Sequence, residues 1–284
     1  METGLQSMTK KEKTSSIASA TTAYHKLSIQ VSLNGLSFCI LDTITDRIVN
    51  TKSIVFEAEL TPHQLEKELI SMFSEHQLTS YNYADVVVLH DNNLFSLVPK
   101  ALFSADETSH YLKYNTKILA NDFVTFDTIE SYDLVNVFVP FVNINNYILE
   151  QFGPFEYVHS GTIRIESLLN LHSSKKDTIC YVHVNQQQMD ITILTDKKLK
   201  LYNSFQYYST TDFIYYILFA FEQLKLDPET VRLKLFGNIT EEDEIYKSCF
   251  EYIKHVSIFA PITGSFHLDT LAGETIDFTL INAI

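Results

Sequence analysis

The 284-residue chain has no tryptophan, only three cysteines and no long apolar run. A membrane-spanning helix needs about 20 consecutive apolar residues. The most apolar stretch, residues 213–221, is far shorter, so we expect no membrane insertion. Cys39, Cys180 and Cys249 lie far apart, and two of them fall in apolar, strand-like runs. Reduced, buried thiols are typical of cytoplasmic proteins, which is the location that we predict.

Basic residues are also scarce, with 21 Lys and Arg against 35 Asp and Glu, a net charge of −14. Such a field repels nucleic acid and anionic lipid, so neither is an expected partner. The ten histidines show no zinc-binding spacing, and there is no CxxC motif, so no metal or cofactor is predicted. Residues 1–25 lack the apolar core of a signal peptide and are predicted to form a disordered tail.

The ordered part begins with segments in the order strand, strand, strand, helix, strand. Their side chains alternate between apolar and polar, or are apolar throughout, as strands require. Asn34 and Gly35 favour a tight hairpin turn because both accept positive φ. Thr61 is the expected helix N-cap, and Pro62 the first helical residue. The predicted strands are residues 27–33, 36–41, 47–56 and 83–89.

The same order returns roughly 150 residues later, as an internal duplication would produce. Its predicted strands are residues 178–184, 189–194, 198–207 and 231–236. Thr211 or Asp212 is the expected N-cap of its helix. The alternative is two unrelated meanders of similar pattern. Further elements are a helix at residues 107–116, a strand at 122–126 and a helix at 241–253.

This double β-β-β-α-β order resembles the actin/Hsp70/sugar-kinase fold, in which two ribonuclease-H-like domains face each other across a cleft. Three segments are similar to cytoplasmic type IV pilus-assembly and secretion-platform proteins: residues 86–99, which read VVVLHDNNLFSLVP, residues 135–169 and residues 178–194. As a whole, the sequence resembles an uncharacterised Bacteroidetes family with a domain of unknown function. The resemblance implies an α/β protein whose two ribonuclease-H-like halves occupy residues 26–172 and 173–284.

Members of this superfamily that split ATP carry a carboxylate on the first strand of each half, and small residues in the hairpins let backbone amides approach the phosphates. The matching positions in this chain form a candidate ligand cleft. In the first half they are Ser32, Asn34, Gly35 and Ser37. In the second half they are His183, Asn185, Gln186, Gln187, Gln188, Asp190 and Gly237.

Neither first strand contains Asp or Glu, and the second hairpin contains no glycine. A magnesium triphosphate needs anionic ligands and close backbone approach, so a nucleotide, an ATPase and a two-metal nuclease are not expected. We interpret the two hairpins as plain turns, or alternatively as a relic cleft that binds a polar ligand through amides. His183 and Cys180 are interpreted as structural, and the polarity of His90 and Asp91 as that of a loop, with a dyad as the alternative.

The leading hypothesis is a non-catalytic protein of actin-like fold that binds another protein. The pilus-platform resemblance implies a peptide docked at a sheet edge or cleft. The alternatives are a nucleotide or small-ligand binder, related to kinases and ATPases, and a structural homodimer. The pairs Tyr207-Tyr208 and Tyr215-Tyr216 either fill the core or mark a binding surface, because tyrosine is enriched in both places.

Overall fold

The computed structural model describes residues 24–119, 121–172, 177–259 and 277–284. The predicted tail at residues 1–25 lies, except for its last two residues, outside this part. The strands are β1 (His25–Ser32), β2 (Gly35–Asp42), β3 (Arg47–Val55), β4 (Tyr83–His90), β5 (Phe95–Pro99), β6 (Thr125–Ile129), β7 (Leu134–Phe138), β8 (Glu156–His159), β9 (Thr178–Asn185), β10 (Gln188–Thr195), β11 (Lys198–Gln206), β12 (Arg232–Gly237) and β13 (His255–Ile258). The α-helices are α1 (Pro62–Glu75), α2 (Thr108–Leu112), α3 (Val142–Phe152), α4 (Ser160–Leu171), α5 (Thr210–Gln223), α6 (Glu244–Tyr252) and α7 (Phe278–Asn282).

Two five-stranded sheets share one topology. The first has the order β3-β2-β1-β4-β8, and the second the order β11-β10-β9-β12-β13. In each, three antiparallel strands are followed by two parallel ones. The predicted α/β fold with two β-β-β-α-β repeats is therefore confirmed. A three-stranded sheet, β5-β7-β6, lies between β4 and β8 in the chain, and the boundary at residues 172 and 173 stays a prediction.

The helix of each repeat buries one face against its own sheet. In α1 this face is Leu65, Leu69, Met72 and Phe73, as the 3.6-residue periodicity predicts. Thr61 forms the expected cap, because its side chain accepts a hydrogen bond from the backbone amide of Gln64. The side-chain oxygen of Gln64 in turn accepts the backbone amide of Thr61. Among the described residues, no helix is both long and apolar enough to span a membrane.

The second repeat helix corrects the predicted cap. Ser209, rather than Thr211 or Asp212, is the N-cap of α5, because its Oγ accepts the amide of Asp212 at 3.1 Å. The cap lies two residues earlier than expected because the helix already includes Thr210.

The first hairpin turn also differs from its prediction. Gly35 already pairs with Ser32 as the first residue of β2, so the turn consists of Leu33 and Asn34. Neither Asn34 nor Gly35 has positive φ. Gly35 is required for another reason, since a Cβ there would lie 2.7 Å from the carbonyl oxygen of Ile54 on β3.

Three other predicted elements are shorter or shifted. The helix predicted at residues 107–116 is limited to α2, and the one at 241–253 to α6. The strand predicted at residues 122–126 is wrong in position, because β6 begins only at Thr125. Asp122 instead closes a turn, in which its carboxylate accepts the Leu119 amide at 2.7 Å. The carboxylate of Asp243 likewise accepts the backbone amide of Thr240, just before α6, at 2.6 Å.

The three cysteines are free and buried, as predicted. Burial raises the pKa of Cys39 to about 12 and that of Cys249 to about 12. Cys180, interpreted from the sequence as structural, has its pKa raised by burial as well. Thiols with such pKa values stay protonated at neutral pH and are poor nucleophiles.

Candidate functional site: a cleft centred on Arg164

Arg164 of α4 joins the two halves at the centre of the molecule. Its side chain is 1% exposed, and its two terminal nitrogens bind both oxygens of Asp91, at 3.0 and 2.8 Å. The same Nη1 donates to Asp190 at 2.7 Å, and Nε donates to Thr279 Oγ1 at 3.0 Å. Asp91 follows β4 of the first half, Asp190 lies on β10 of the second, and Thr279 lies on α7.

Arg164 and Asp190 stay charged despite their burial. Burial by itself lowers the pKa of Arg164, but Asp91 and Asp190 outweigh it and raise that pKa well above its usual range. Burial raises the pKa of Asp190, yet Arg164 and His183 outweigh it and hold it below its usual range. A guanidinium with partners of opposite charge on both sides is the arrangement in which a buried ion pair is stable.

His183 extends the cluster toward the second half. Its Nε2 lies 3.1 Å from Asp277 Oδ2, and its Nδ1 lies 3.5 Å from Asp190 Oδ2. Burial and Arg164 lower the pKa of His183, but the two carboxylates outweigh them and raise it. Burial raises the pKa of Asp277, and its hydrogen bond with His183 more than reverses this. His183 is thus held between two carboxylates, and its structural role stays a prediction.

A cavity of about 370 Å³ lies between the two facing hairpins. It brings together six of the predicted cleft residues: Ser32, Gly35, Ser37, His183, Asn185 and Gly237. The lining does not include Asn34, Gln186, Gln187 or Gln188, which belong to the turns and their flanks. Asp190 does not line it either, because its carboxylate is engaged by Arg164 and faces His183.

The cavity walls are partly aromatic and partly acidic. Phe236 contacts Phe278 edge to face at 5.3 Å and Phe259 at 5.6 Å between ring centroids. The charged side chains in the lining are Asp277 and His183.

Sequence reasoning missed Arg164, Asp277 and Gln30, and it gave Asp91 no role in this cluster. Both sequence readings of His90 and Asp91 are wrong, because both residues are buried and each has another partner. His90 binds Asn145 Oδ1 at 2.9 Å, and Asp91 binds Arg164. A signal for Arg164 did exist: it lies four residues before Leu168 on the buried face of α4, where an arginine needs a partner.

Paired sheets of one topology around a central cleft define a protein of the actin-like ATPase fold. A crystal structure of a Bacteroides thetaiotaomicron VPI-5482 protein with this fold and unknown function is 26% identical to the chain, with a TM-score of 0.73 over 83% of this chain and 91% of that one. The sequence matches the family described as Protein of unknown function (DUF3822) over residues 14–256, and the chain belongs to that family. The predicted resemblance to an uncharacterised family is therefore confirmed.

Two other solved structures are more distant. The type IV pilus biogenesis complex PilM-PilN is 12% identical, with a TM-score of 0.49, over 81% of this chain and 87% of that one. A Ppx/GppA family protein from Aquifex aeolicus is 8% identical, with a TM-score of 0.39, over 75% of this chain and 66% of that one. No curated protein matches the sequence.

Proposed function

We propose that this protein is a non-catalytic member of the actin-like fold that binds another protein through its second half. The non-catalytic part of the proposal rests on the Arg164 cluster. Asp91 and Asp190 lie where the two halves meet, and Arg164 already pairs with both of them. Carboxylates engaged in this way are poor ligands for the magnesium that phosphoryl transfer requires.

A comparison of the two repeat helices supports the binding role. α1 and α5 each have 14 residues and follow the third strand of their sheet. The four buried positions of α1 are all buried in α5 as well, but the exposed positions of the two helices differ. Where α1 has Lys67 and Ser71, the equivalent positions of α5 have Tyr215 and Phe219. These two rings are 58% and 42% exposed and stack on each other, which is the observation that carries the proposal.

The surface next to these rings is acidic. Thr211, one turn before Tyr215, lines a groove of about 410 Å³ between α5 and α6. Glu244, Glu251 and Lys247 are the charged residues of this groove, and the exposed ring of Tyr252 lies at it. We call the exposed face of α5 together with this groove the α5 surface. Its charge fits a segment that combines apolar side chains with Lys or Arg, which aromatic faces also bind.

A second copy of this chain is a poorer occupant, because it would bring two acidic surfaces of a −14 molecule together. Cross-linking distinguishes a foreign partner from a second copy of the chain. With a photoreactive amino acid in place of Tyr215, a partner captured in the native cell is expected to be joined through a basic, apolar segment. Cross-links only to a second copy, or only to acidic segments, would contradict the proposal.

A synthetic peptide with the sequence of the cross-linked partner segment then serves as the ligand. Its affinity measures how much the rings of Tyr215 and Phe219 contribute to binding. The double substitution Tyr215→Lys and Phe219→Ser gives α5 the residues that α1 has at these positions. It should weaken peptide binding at least ~10-fold, because aromatic anchors are lost. Ile70→Ser on α1 is the matched control, because Ile70 is 42% exposed like Phe219. Fluorescence anisotropy that gave equal affinities for the double variant and the control would refute the assignment.

Thermal unfolding with and without Mg-ATP tests the non-catalytic part. A ligand at 100 times its Kd adds about 2.7 kcal/mol of stability. We expect no such shift and no hydrolysis. A clear rise in Tm with Mg-ATP would overturn this part of the proposal while leaving the α5 surface to be judged by the peptide experiment.

A further inference from the structure

The surface formed by α5 and α6 offers side chains rather than backbone to a partner. Away from the ends of a helix, backbone N–H and C=O groups are hydrogen-bonded within the helix, and the free groups lie at its ends. At the start of α5, Ser209 Oγ already caps the Asp212 amide at 3.1 Å. Among the described residues, the lining of the groove consists only of residues of α5 and α6. A partner therefore meets two helices rather than the edge of a sheet.

Such a surface selects the conformation of the segment that binds it. An extended segment would bury backbone N–H and C=O groups against side chains that cannot pair with all of them, and buried unpaired backbone groups are costly. Extended segments dock instead at sheet edges, where free backbone groups receive them. An α-helix pairs its own backbone groups and meets a surface through its side chains. The α5 surface therefore favours a helical partner.

The lining residues repeat at the spacing of a helix ridge. On α6 they form one row, with members three or four residues apart: Glu244, Lys247, Ser248 and Glu251. On α5, Thr211 begins a second row, which Tyr215 and Phe219 continue at intervals of four residues. A groove lined by two such rows is the kind of depression into which the ridge of a third helix packs. From Thr211 to Phe219 the α5 row is about 12 Å long, at ~1.5 Å per residue, which matches about two turns of a partner helix.

The rings and the acidic residues define which side chains that helix carries. The ring centroids of Tyr215 and Phe219 are 6.0 Å apart, close to the ~5.4 Å pitch of a helix. Apolar residues four positions apart on the partner have the same spacing, so they contact both rings. Glu244 and Glu251 are exposed on α6, and Lys or Arg on the flank of the partner helix would pair with them.

We infer that the α5 surface binds its partner as an amphipathic α-helix of at least about two turns. The helix places apolar residues at positions i and i+4 against Tyr215 and Phe219, and Lys or Arg toward Glu244 and Glu251. This inference rests on the proposed function and adds to it the conformation and the residue pattern of the partner.

Two fluorescent peptides of the same composition test the conformation. Both are as long as α5 and contain Leu, Lys and Gln in the same proportions, but one repeats Leu at the period of a helix and the other at the period of a strand. In fluorescence anisotropy with the full chain, the helix-period peptide should bind at least ~10-fold tighter than the strand-period peptide. Equal binding of the two, tighter binding of the strand-period peptide, or no binding of either would overturn the inference.

Proline substitutions in the helix-period peptide provide a second measurement. A proline at its centre should weaken binding at least ~10-fold, because it breaks a helix. A proline at its first position is the control and should have little effect, because the first turn of a helix tolerates it. A central proline without effect would overturn the inference.

Variants of the protein show whether the peptide binds to the rings. Tyr215→Ser with Phe219→Ser removes both rings without changing the charge, and it should weaken binding of the helix-period peptide at least ~10-fold. Ile70→Ser on α1, at a position as exposed as Phe219, is the control and should bind normally. Equal affinities for the two variants would overturn the placement of the helix.

A second pair of variants tests the basic flank of the helix. Glu244→Gln with Glu251→Gln should weaken binding of the same peptide at least ~3-fold, because two exposed charge pairs are lost. Glu68→Gln with Glu75→Gln on α1 is the matched control, since these residues are also exposed and also seven positions apart. Equal losses would show that the peptide responds to net charge alone, and would overturn this part of the inference.

Failure of this inference is distinguishable from failure of the proposed function. A partner peptide identified by cross-linking at Tyr215 could lose affinity in the ring variant but not after a central proline. That result would refute the helix and leave the α5 surface in place. A partner peptide unaffected by the ring variant would refute the surface itself.

Discussion

The substitution Arg164→Met should destabilise the whole fold. It preserves most of the side-chain volume but removes the charge that joins Asp91 of the first half to Asp190 of the second. Both carboxylates are only 4% exposed and would remain buried. Removing one partner of a buried ion pair costs ~3–5 kcal/mol, because the charge left behind is uncompensated. Since total stabilities are ~5–15 kcal/mol, this is a large share of the free energy of unfolding.

The size of this loss should depend on pH. In the native protein, Arg164 helps to hold the pKa of Asp190 below its usual range, so the ionised carboxylate stabilises the fold above the unfolded pKa of Asp. This contribution is lost as the pH falls through the folded value. Without the guanidinium, burial acts on Asp190 with less opposition and its pKa rises, so protonation relieves the variant in mild acid. The difference between native and variant stability should therefore be largest near neutral pH and shrink as the pH falls toward 4.

Urea unfolding at pH 7 and at pH 5, followed by circular dichroism, measures both effects. Arg232→Met is the matched control, because Arg232 pairs with Asp177 at the surface and both side chains are nearly half exposed. Exposed pairs contribute ~0–1 kcal/mol, so the control should change little. Similar losses for the two variants, or a loss for Arg164→Met below ~1 kcal/mol, would refute the reasoning that a buried charge holds the halves together.

Three smaller effects follow from other sites. Gly237→Ala should cost at least ~2 kcal/mol by urea unfolding, since φ is +93° and the added Cβ would lie 2.5 Å from the Val184 oxygen. Gly153→Ala, with open space around it, should cost less, and the reverse order would contradict the argument. The raised pKa of His183 means that its charge stabilises the fold fully below the unfolded pKa of ~6.5 and that this stabilisation is lost as the pH rises through the folded value. His183→Gln should therefore flatten the decline of stability above pH ~6.5, and an unchanged slope would disprove this. Ser209→Ala should lower stability by ~1 kcal/mol through loss of the α5 cap, and no loss would mean that the cap is not used.

The repeated fold could be predicted because its signals are local. Strand alternation has a period of two residues, and helix burial a period of 3.6. The capping pair Thr61 and Gln64, three residues apart, marks the start of α1 directly. β6 was misplaced because Asp122 forms a turn within a segment that reads as apolar, and no periodic pattern reveals such a hydrogen bond.

The centre of the site could not be predicted in the same way. The cleft residues in the hairpins could be predicted, because each has a fixed place relative to the strands that flank it in the sequence. Arg164, in contrast, meets Asp91 73 residues away and Thr279 115 residues away in the sequence, so no spacing connects them. An arginine on the buried face of α4 predicts that a partner exists but does not identify it.

The Arg164 cluster also limits how the two halves can move. Compared with well-packed apolar residues, a buried ion network adds little net stability. Its distinctive property is geometric, because the planar guanidinium must meet Asp91, Asp190 and Thr279 at fixed angles, and these residues lie in three separate segments of the chain. A hinge motion that separated the halves would break the bond between Arg164 and Asp190, at a cost of ~3–5 kcal/mol. A ligand shifts a conformational equilibrium only by its differential affinity for the two states. The two halves should therefore keep one arrangement, and the α5 surface should keep one shape.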